Sequence, residues 1–481
     1  MISFLVGITL LIAGYFVYGK VVARFFGASS AIVTPAKRMA DGVDYHELKP
    51  WRVFVIQFLN IAGLGPIFGA ILGAAYGPAA YLWIVVGCIF MGAAHDYFSG
   101  MLSLRLDGMS LPDIVGKYLG KSMRRFLVFF AGFLLLAVGV AFVNGPADLL
   151  AQLTGIKMVW WLYIIFAYYI LATLLPIDKI IGRIYPFMGG ALIFMALGVG
   201  GMLLVKGFSG ELTLTELTFD TLRNLHDDPS RNILYPMLFI VISCGAISGF
   251  HATQSPMMAR CMTDEKYGRP VFYGAMIAEG IVAMIWASAA MAYFGGPEGL
   301  NAAAAGGSTP AVIVNAICKS WLGKLGAVIA IIGVVVCPIT SGDTAFRSMR
   351  LTLADALHFT QKPVRNRLWI SLPIFVFAYV LSQFDFSTLW KYVGIGNQVL
   401  ATITLWTGAV YLVSRKKFHW MLSLPAMFLT AVCATYFLIA PYKAGGLNLD
   451  HGFGYVAGSV AAVLVMVYFL IKSNKNKERI R

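Results

Sequence analysis

Charge is what this 481-residue sequence has least of: Asp, Glu, Lys and Arg make up only 12% of it, against roughly a quarter in an ordinary soluble domain. Its longest polar stretches reach only a few tens of residues, too short for a soluble domain of its own. Paired cysteines are missing as well. Cys88, Cys244, Cys261, Cys318, Cys337 and Cys433 lie mostly in apolar runs and form no C-x-x-C, so neither a disulfide framework nor a zinc site is indicated. A P-loop and a nucleophile elbow are also absent, and nothing resembles an ATP-driven pump. The two-residue alternation of a membrane barrel is lacking.

What is present is apolar sequence. Hydrophobic residues make up 59% of the chain and the mean hydropathy is +0.78. Runs long enough to cross a bilayer as helices number about thirteen on a ~20-residue criterion. They lie near 2–22, 51–76, 79–104, 123–144, 159–176, 185–205, 233–257, 271–294, 325–346, 368–384, 388–413, 419–440 and 453–472. The opening run has no basic start and no cleavage site after it, and reads as a retained first span. The net charge of +15 sits in alternate loops: Lys20 to Arg52, Arg105 to Arg125, Lys179 and Arg183, Arg260 to Arg269, Arg347 to Arg367, Arg415 to Lys417, and the tail. The intervening loops are nearly free of Lys and Arg. That alternation predicts an outer N-terminus and a cytoplasmic C-terminus in a bacterial inner membrane, with the lipid bilayer, not nucleic acid, as the partner of the basic residues.

Two spans are interrupted. "NIAGLGPIFGA" puts Gly63, Gly65, Pro66 and Gly69 into the second, and "SCGAISGFHATQSP" puts Gly245, Gly249 and Pro256 into the seventh. Backbone left unpaired at membrane depth is tolerated where it lines a cavity or is covered by protein. One such span alone would read as close helix packing through small residues. Two, opening successive groups of five spans in opposite directions, predict an all-α, five-plus-five inverted-repeat core of the LeuT type with discontinuous helices around a binding site. The first repeat would cover 51–206 and the second 233–413. An extra helix and loop (1–50) would precede them, and two extra helices (419–472) would follow, all within a single transmembrane domain. Loop segments "SLPDIVGKYLG" and "TPAVIVNAICKSWLG" predict short helices, with Ser110 as N-cap and Gly120 as stop in the first and Pro310 near the start of the second. The extra spans are available to pack against a second copy in a homodimer.

"GLGPIFGAILGAAYGPAAYLWIVVGCIFMGAAHDYFSGMLSLRLDGMSLPDIV", "CGAISGFHATQSPMM" and "CPITSGDTAFRSMRLTLAD" resemble signatures of the carbon starvation protein A (CstA) family. The resemblance implies a secondary transporter of the amino acid–polyamine–cation superfamily, importing peptides or pyruvate when nutrients are scarce. The chain is shorter than the long members, and "ATQSPMMAR" differs from the pyruvate-type relatives, so substrate identity does not carry over.

The residues expected to line a small-molecule site are Asn60, Gly63, Gly65, Pro66, Gly245, Ser248, Gly249, His251 and Gln254, at and beside the two breaks. Charges inside a membrane are costly and are functional candidates by default. His95 and Asp96 form a carboxylate–imidazole pair able to hold a proton, or a hydrogen-bonded pin between spans. His251 can bind a substrate carboxylate, join proton coupling, or be simply hydrogen-bonded. Glu279 is a further proton-site candidate or a structural acceptor. By the resemblance, Thr340 and Ser341 with backbone near Ala62 and Gly63 imply a Na+ cage; the alternative is that both hydroxyls bond back to their own helix. Asp343 and Arg347, four apart, read as a mutual ion pair. The expected activity is therefore not enzymatic and needs no cofactor beyond a coupling cation, H+ or Na+. The rival expectation is a membrane-embedded nutrient sensor without concentrative transport.

Overall fold

A computed structural model describes residues 1–42, 44–174, 177–361, 363–384 and 386–478. Lys362, residues 479–481 and the 175–176 end of the fifth expected span lie outside it, as do the side chains of Lys179 and Arg183. No strand occurs among the described residues. A chain this apolar can satisfy its backbone in lipid only by hydrogen-bonding within each segment, which is what helices do.

The chain opens with α1 (Ile2–Phe26) and a broken pair, α2 (Pro50–Ile61) and α3 (Gly65–Ala74), bent by 51°. Then come α4 (Ala79–Arg105), the short α5 (Leu111–Leu119), α6 (Lys121–Thr154), α7 (Met158–Leu174) and α8 (Ile177–Phe208). The second interrupted region has a π-helical run (Leu234–Leu238) leading into α9 (Phe239–Val241), a non-helical stretch over 242–248, and α10 (Gly249–Ala259). After it run α11 (Glu265–Tyr293), α12 (Pro297–Ala305), α13 (Pro310–Ala356), α14 (Val364–Leu381), α15 (Leu389–Ser414), α16 (Trp420–Ile439) and α17 (His451–Ser473).

Among the described residues nine helices are long and apolar enough to cross a membrane, or ten with the bent α2–α3 pair taken as one span. Three of the thirteen expected spans fall outside that set. The seventh is cut by its non-helical stretch into pieces too short to cross; α7 reaches the edge of the described residues at Leu174; and the ninth, 325–346, lies on α13 with part of its side chains outside the description. Both predicted loop helices form. α5 follows Ser110 and ends at Gly120, whose φ of 104° is open to glycine. The segment after Thr309, whose hydroxyl accepts from Val312 N, leads through a kink at Gly323 into the long remainder of α13.

The core sits around α4 and α11, whose apolar windows are 78% and 89% buried, whereas those of α1 and α17 are 22% and 28% buried. α13 packs along α6 and α8, and α16 lies between α15 and α17. The innermost helices therefore carry His95, Asp96 and Glu279. The breaks meet there too: a Cβ on Gly65 would lie 2.2 Å from Cys244 Cβ, so only glycine allows that approach.

Candidate functional site

Each break leaves carbonyls and amides without helical partners, and the chain supplies several from neighbouring elements. In the first, Ser341 Oγ donates to the Leu59 carbonyl (2.9 Å) and Cys337 Sγ to the Ala62 carbonyl (3.0 Å). In the second, Trp83 Nε1 donates to the Ile242 carbonyl (3.0 Å) and Gln398 Nε2 to the Phe239 carbonyl (2.6 Å). At the start of α10 the Phe250 N–H is accepted by Asn397 Oδ1 from α15 (3.1 Å), a cap supplied from another helix. Gly245, at φ 87°, turns the non-helical stretch so that its N–H points at Glu279 Oε1, 2.9 Å away.

That last bond ends a line of four titratable side chains. His95 Nδ1 lies 2.7 Å from Asp96 Oδ1, and His251 Nδ1 lies 2.9 Å from Asp96 Oδ2. His251 Nε2 then faces Glu279 Oε2 at 3.4 Å, close enough for an ion pair but without hydrogen-bond alignment. All four residues are at most 1% exposed. α4 supplies His95 and Asp96, α10 supplies His251, and α11 supplies Glu279, so the line crosses the molecule's interior from one helix to another. A carboxylate held between two imidazoles accepts from both, and each pair is far stronger here than in water. Cys244 Sγ, His251 and Glu279 also bring donor atoms within 4.8 Å of one another and are the described residues that could gather round a metal ion. Asp96 engages His251 Nδ1 and the Gly245 N–H engages Glu279 Oε1, which leaves His251 Nε2 and Glu279 Oε2 facing each other without a hydrogen-bond partner.

The other expected residues divide. Gly63 is beside Ser341, whose Oγ would be 3.1 Å from a Cβ there, and Pro66 is against Gly245. Gly249 abuts the α15 backbone at Asn397 and Ala401. Asn60 and Ser248 are fully buried with side-chain polar atoms that meet no hydrogen-bond partner. Gln254 points elsewhere, donating to Thr253 Oγ1 (3.0 Å) and accepting from Ser348 Oγ (3.4 Å). Thr340 and Ser341 behave differently from each other. Thr340 Oγ1 donates back to the Cys337 carbonyl (2.7 Å), whereas Ser341 reaches across to the first break. Arg347 Nη2 lies 3.7 Å from Asp343 and donates to the Ala172 carbonyl (3.1 Å).

Sequence reasoning missed Cys337, Leu59, Gln57, Asn397 and Cys244. Cys337 lies four residues before Ser341, on the same helical face, and that spacing was available as a signal. Gln57, one turn before Asn60, is equally buried, and both of its amide atoms lack hydrogen-bond partners. Asn397 carried no signal beyond being polar in an apolar run.

A family model described as carbon starvation protein CstA matches residues 1–148, 131–321 and 290–436. An uncharacterized membrane protein of Haemophilus influenzae is 45% identical over 358 residues, covering 64% of this chain and 95% of its own. The peptide transporter CstA of Bacillus subtilis is 26% identical over 91% of this chain and 90% of its own length. The pyruvate/proton symporter BtsT of Escherichia coli is 23% identical over 84% and 76%. Among solved structures, MhsT in complex with L-phenylalanine superposes with a TM-score of 0.54 at 13% identity, covering 88% of this chain and 98% of that one. A Na+-coupled sialic acid symporter gives 0.51 at 13% identity, covering 98% of each. At these identities the structural likeness carries the fold, that of LeuT-type transporters.

Proposed function

Since the chain belongs to the carbon starvation protein CstA family and is a multi-pass membrane protein, we propose that it is a proton-coupled secondary transporter importing a small nutrient, a peptide or pyruvate, across the bacterial inner membrane. In this reading the N-terminus is outside and the inverted-repeat core holds the substrate between the two breaks. The observation that carries it is the buried line His95–Asp96–His251–Glu279, ending on the backbone of the second break.

The chemistry follows from the tautomers. With Nδ1–H of His251 donated to Asp96, a neutral ring presents its Nε2 lone pair to Glu279 Oε2. Two lone pairs repel, so the contact is favourable only when a proton lies on one of the two atoms. Gaining that proton draws Glu279 toward His251; losing it pushes them apart. Glu279 also holds the Gly245 N–H, so the protonation state changes the geometry of the unwound segment. Asn60, Ser248 and the unwound backbone beside them are the groups offered to a substrate. Rocking of one helix bundle against the other would then switch access.

Sodium coupling is the second reading, favoured by Ser341 reaching the Leu59 carbonyl at the first break. The test is uptake into sealed liposomes of labelled pyruvate and a labelled dipeptide under imposed proton or sodium gradients. Concentrative uptake should follow the pH gradient, and Asp96→Asn should lower it by about 5–150-fold, the range of an ordinary coupling free energy. Uptake that follows sodium and disappears in Ser341→Ala would transfer coupling to the hydroxyl. Folded protein that binds either solute yet moves neither under any gradient would favour the sensor.

A further inference from the structure

At one edge of the molecule the basic ends of several elements converge. α5 brings Leu119, α6 begins beside it, α15 brings Trp406 and ends just before Lys416, and α17 brings Phe469 and Lys472. Together they enclose a groove of ≈ 540 Å³. A second depression of ≈ 550 Å³, between α1 and the loop after α15, includes Arg24 and Lys417 in its wall, and Lys416 belongs to both. Among the described residues no carboxylate lines either one.

The groove is apolar inside and cationic at its mouth. Trp406 and Phe469 are buried with ring centroids 5.1 Å apart, and the indole N–H is already accepted by Thr430 Oγ1 (3.1 Å), so the ring offers only its apolar surface. Lys472 Nζ stands 5.6 Å from the Tyr468 ring centroid. Lys417 is committed to the Phe26 carbonyl (2.6 Å), while Lys416 and Lys472 are exposed. α17, the outer wall, turns most of its surface outward, where a membrane span meets lipid.

We propose that this groove binds an anionic phospholipid, with an acyl chain between α15 and α17 and the headgroup phosphate between Lys416 and Lys472. Charge decides the occupant. A zwitterionic lipid gains the same apolar contact but little from two lysines without a facing carboxylate, whereas an anionic headgroup gains from each. An acyl chain fits an apolar slot open to the bilayer, which a water-soluble anion does not. The site is separate from the buried titratable line and stands whether or not the transport reading holds.

Native mass spectrometry of the full chain in detergent, titrated with phosphatidylglycerol or phosphatidylcholine, tests this directly. Phosphatidylglycerol should be retained preferentially, and retention should fall about 30-fold in Lys416→Ala/Lys472→Ala, roughly a factor of five per lysine near the surface. Lys416→Arg/Lys472→Arg should keep it. Equal retention of the two lipids by the parent would overturn the proposal, as would undiminished phosphatidylglycerol binding by a folded Ala variant. Thermal stabilisation by inorganic phosphate equal to that by the lipid would also overturn it.

Discussion

At the scale of single residues, close approach dominates. Gly65 is where the two broken segments touch, and the 2.2 Å that would separate a new Cβ from Cys244 Cβ leaves no room for even a methyl group. Gly65→Ala should destabilise the protein by about 1–3 kcal/mol through overpacking. A Cys244→Gly background should recover part of that loss, a coupling that thermal melts of the four-protein cycle would measure. Equal losses in both backgrounds would show that the two residues do not share the space. The glycines and the in-membrane His95, Asp96, His251 and Glu279 were all legible in the sequence, because Gly, Pro and charge stand out in an apolar run. So was the pairing of His95 with Asp96, but not their link to His251 and Glu279. Asp96 and His251 are 155 positions apart, and only the packing of α4 against α10 brings them within hydrogen-bond reach. Likewise, which of Thr340 and Ser341 faces the first break depends on the rotation of α13 about its axis, and neighbouring helix packing sets that.

Among the elements, α10 depends on a cap it does not own. Asn397→Ala should leave the buried Phe250 N–H without its acceptor, at a cost of about 1–3 kcal/mol. Faster amide hydrogen exchange over 249–252 would mark it, while exchange in α15 itself should change little. The loop after α8 makes a comparable tie to α1. Glu216 accepts from Ile2 N (3.0 Å) and Ser3 N (2.7 Å) and pairs with the N-terminal ammonium. Burial alone would raise its carboxyl, but the ammonium and the Ser3 hydrogen bonds outweigh that and pull it down to about 2 from 4.5. A depressed acid stabilises the fold above its unfolded value, so this contribution is complete above about 4.5 and lost as pH falls toward about 2. Melting temperatures across that window should fall less in Glu216→Gln than in the parent. The broken spans were predictable as elements, from glycine and proline in otherwise apolar runs. The non-helical length of the second was not, because it depends on Trp83, Gln398 and Asn397 supplying partners from other helices.

For the whole molecule, α4, α10 and α11 pack around two touching breaks and bury the titratable line between them. All six cysteines are free and buried, and one of them, Cys244, stands at the contact between the broken segments. An unmodified chain is thus its own reporter of opening. A membrane-impermeant maleimide should leave the resting protein almost untagged, with no engineered thiol needed and no background to subtract. Under the proposed transport cycle, substrate and gradient should make Cys244 the first thiol to acquire a tag, mapped by peptide mass spectrometry, while Cys88 and Cys433 stay dark. Tags that appear on all six together would signal unfolding instead of a working cycle.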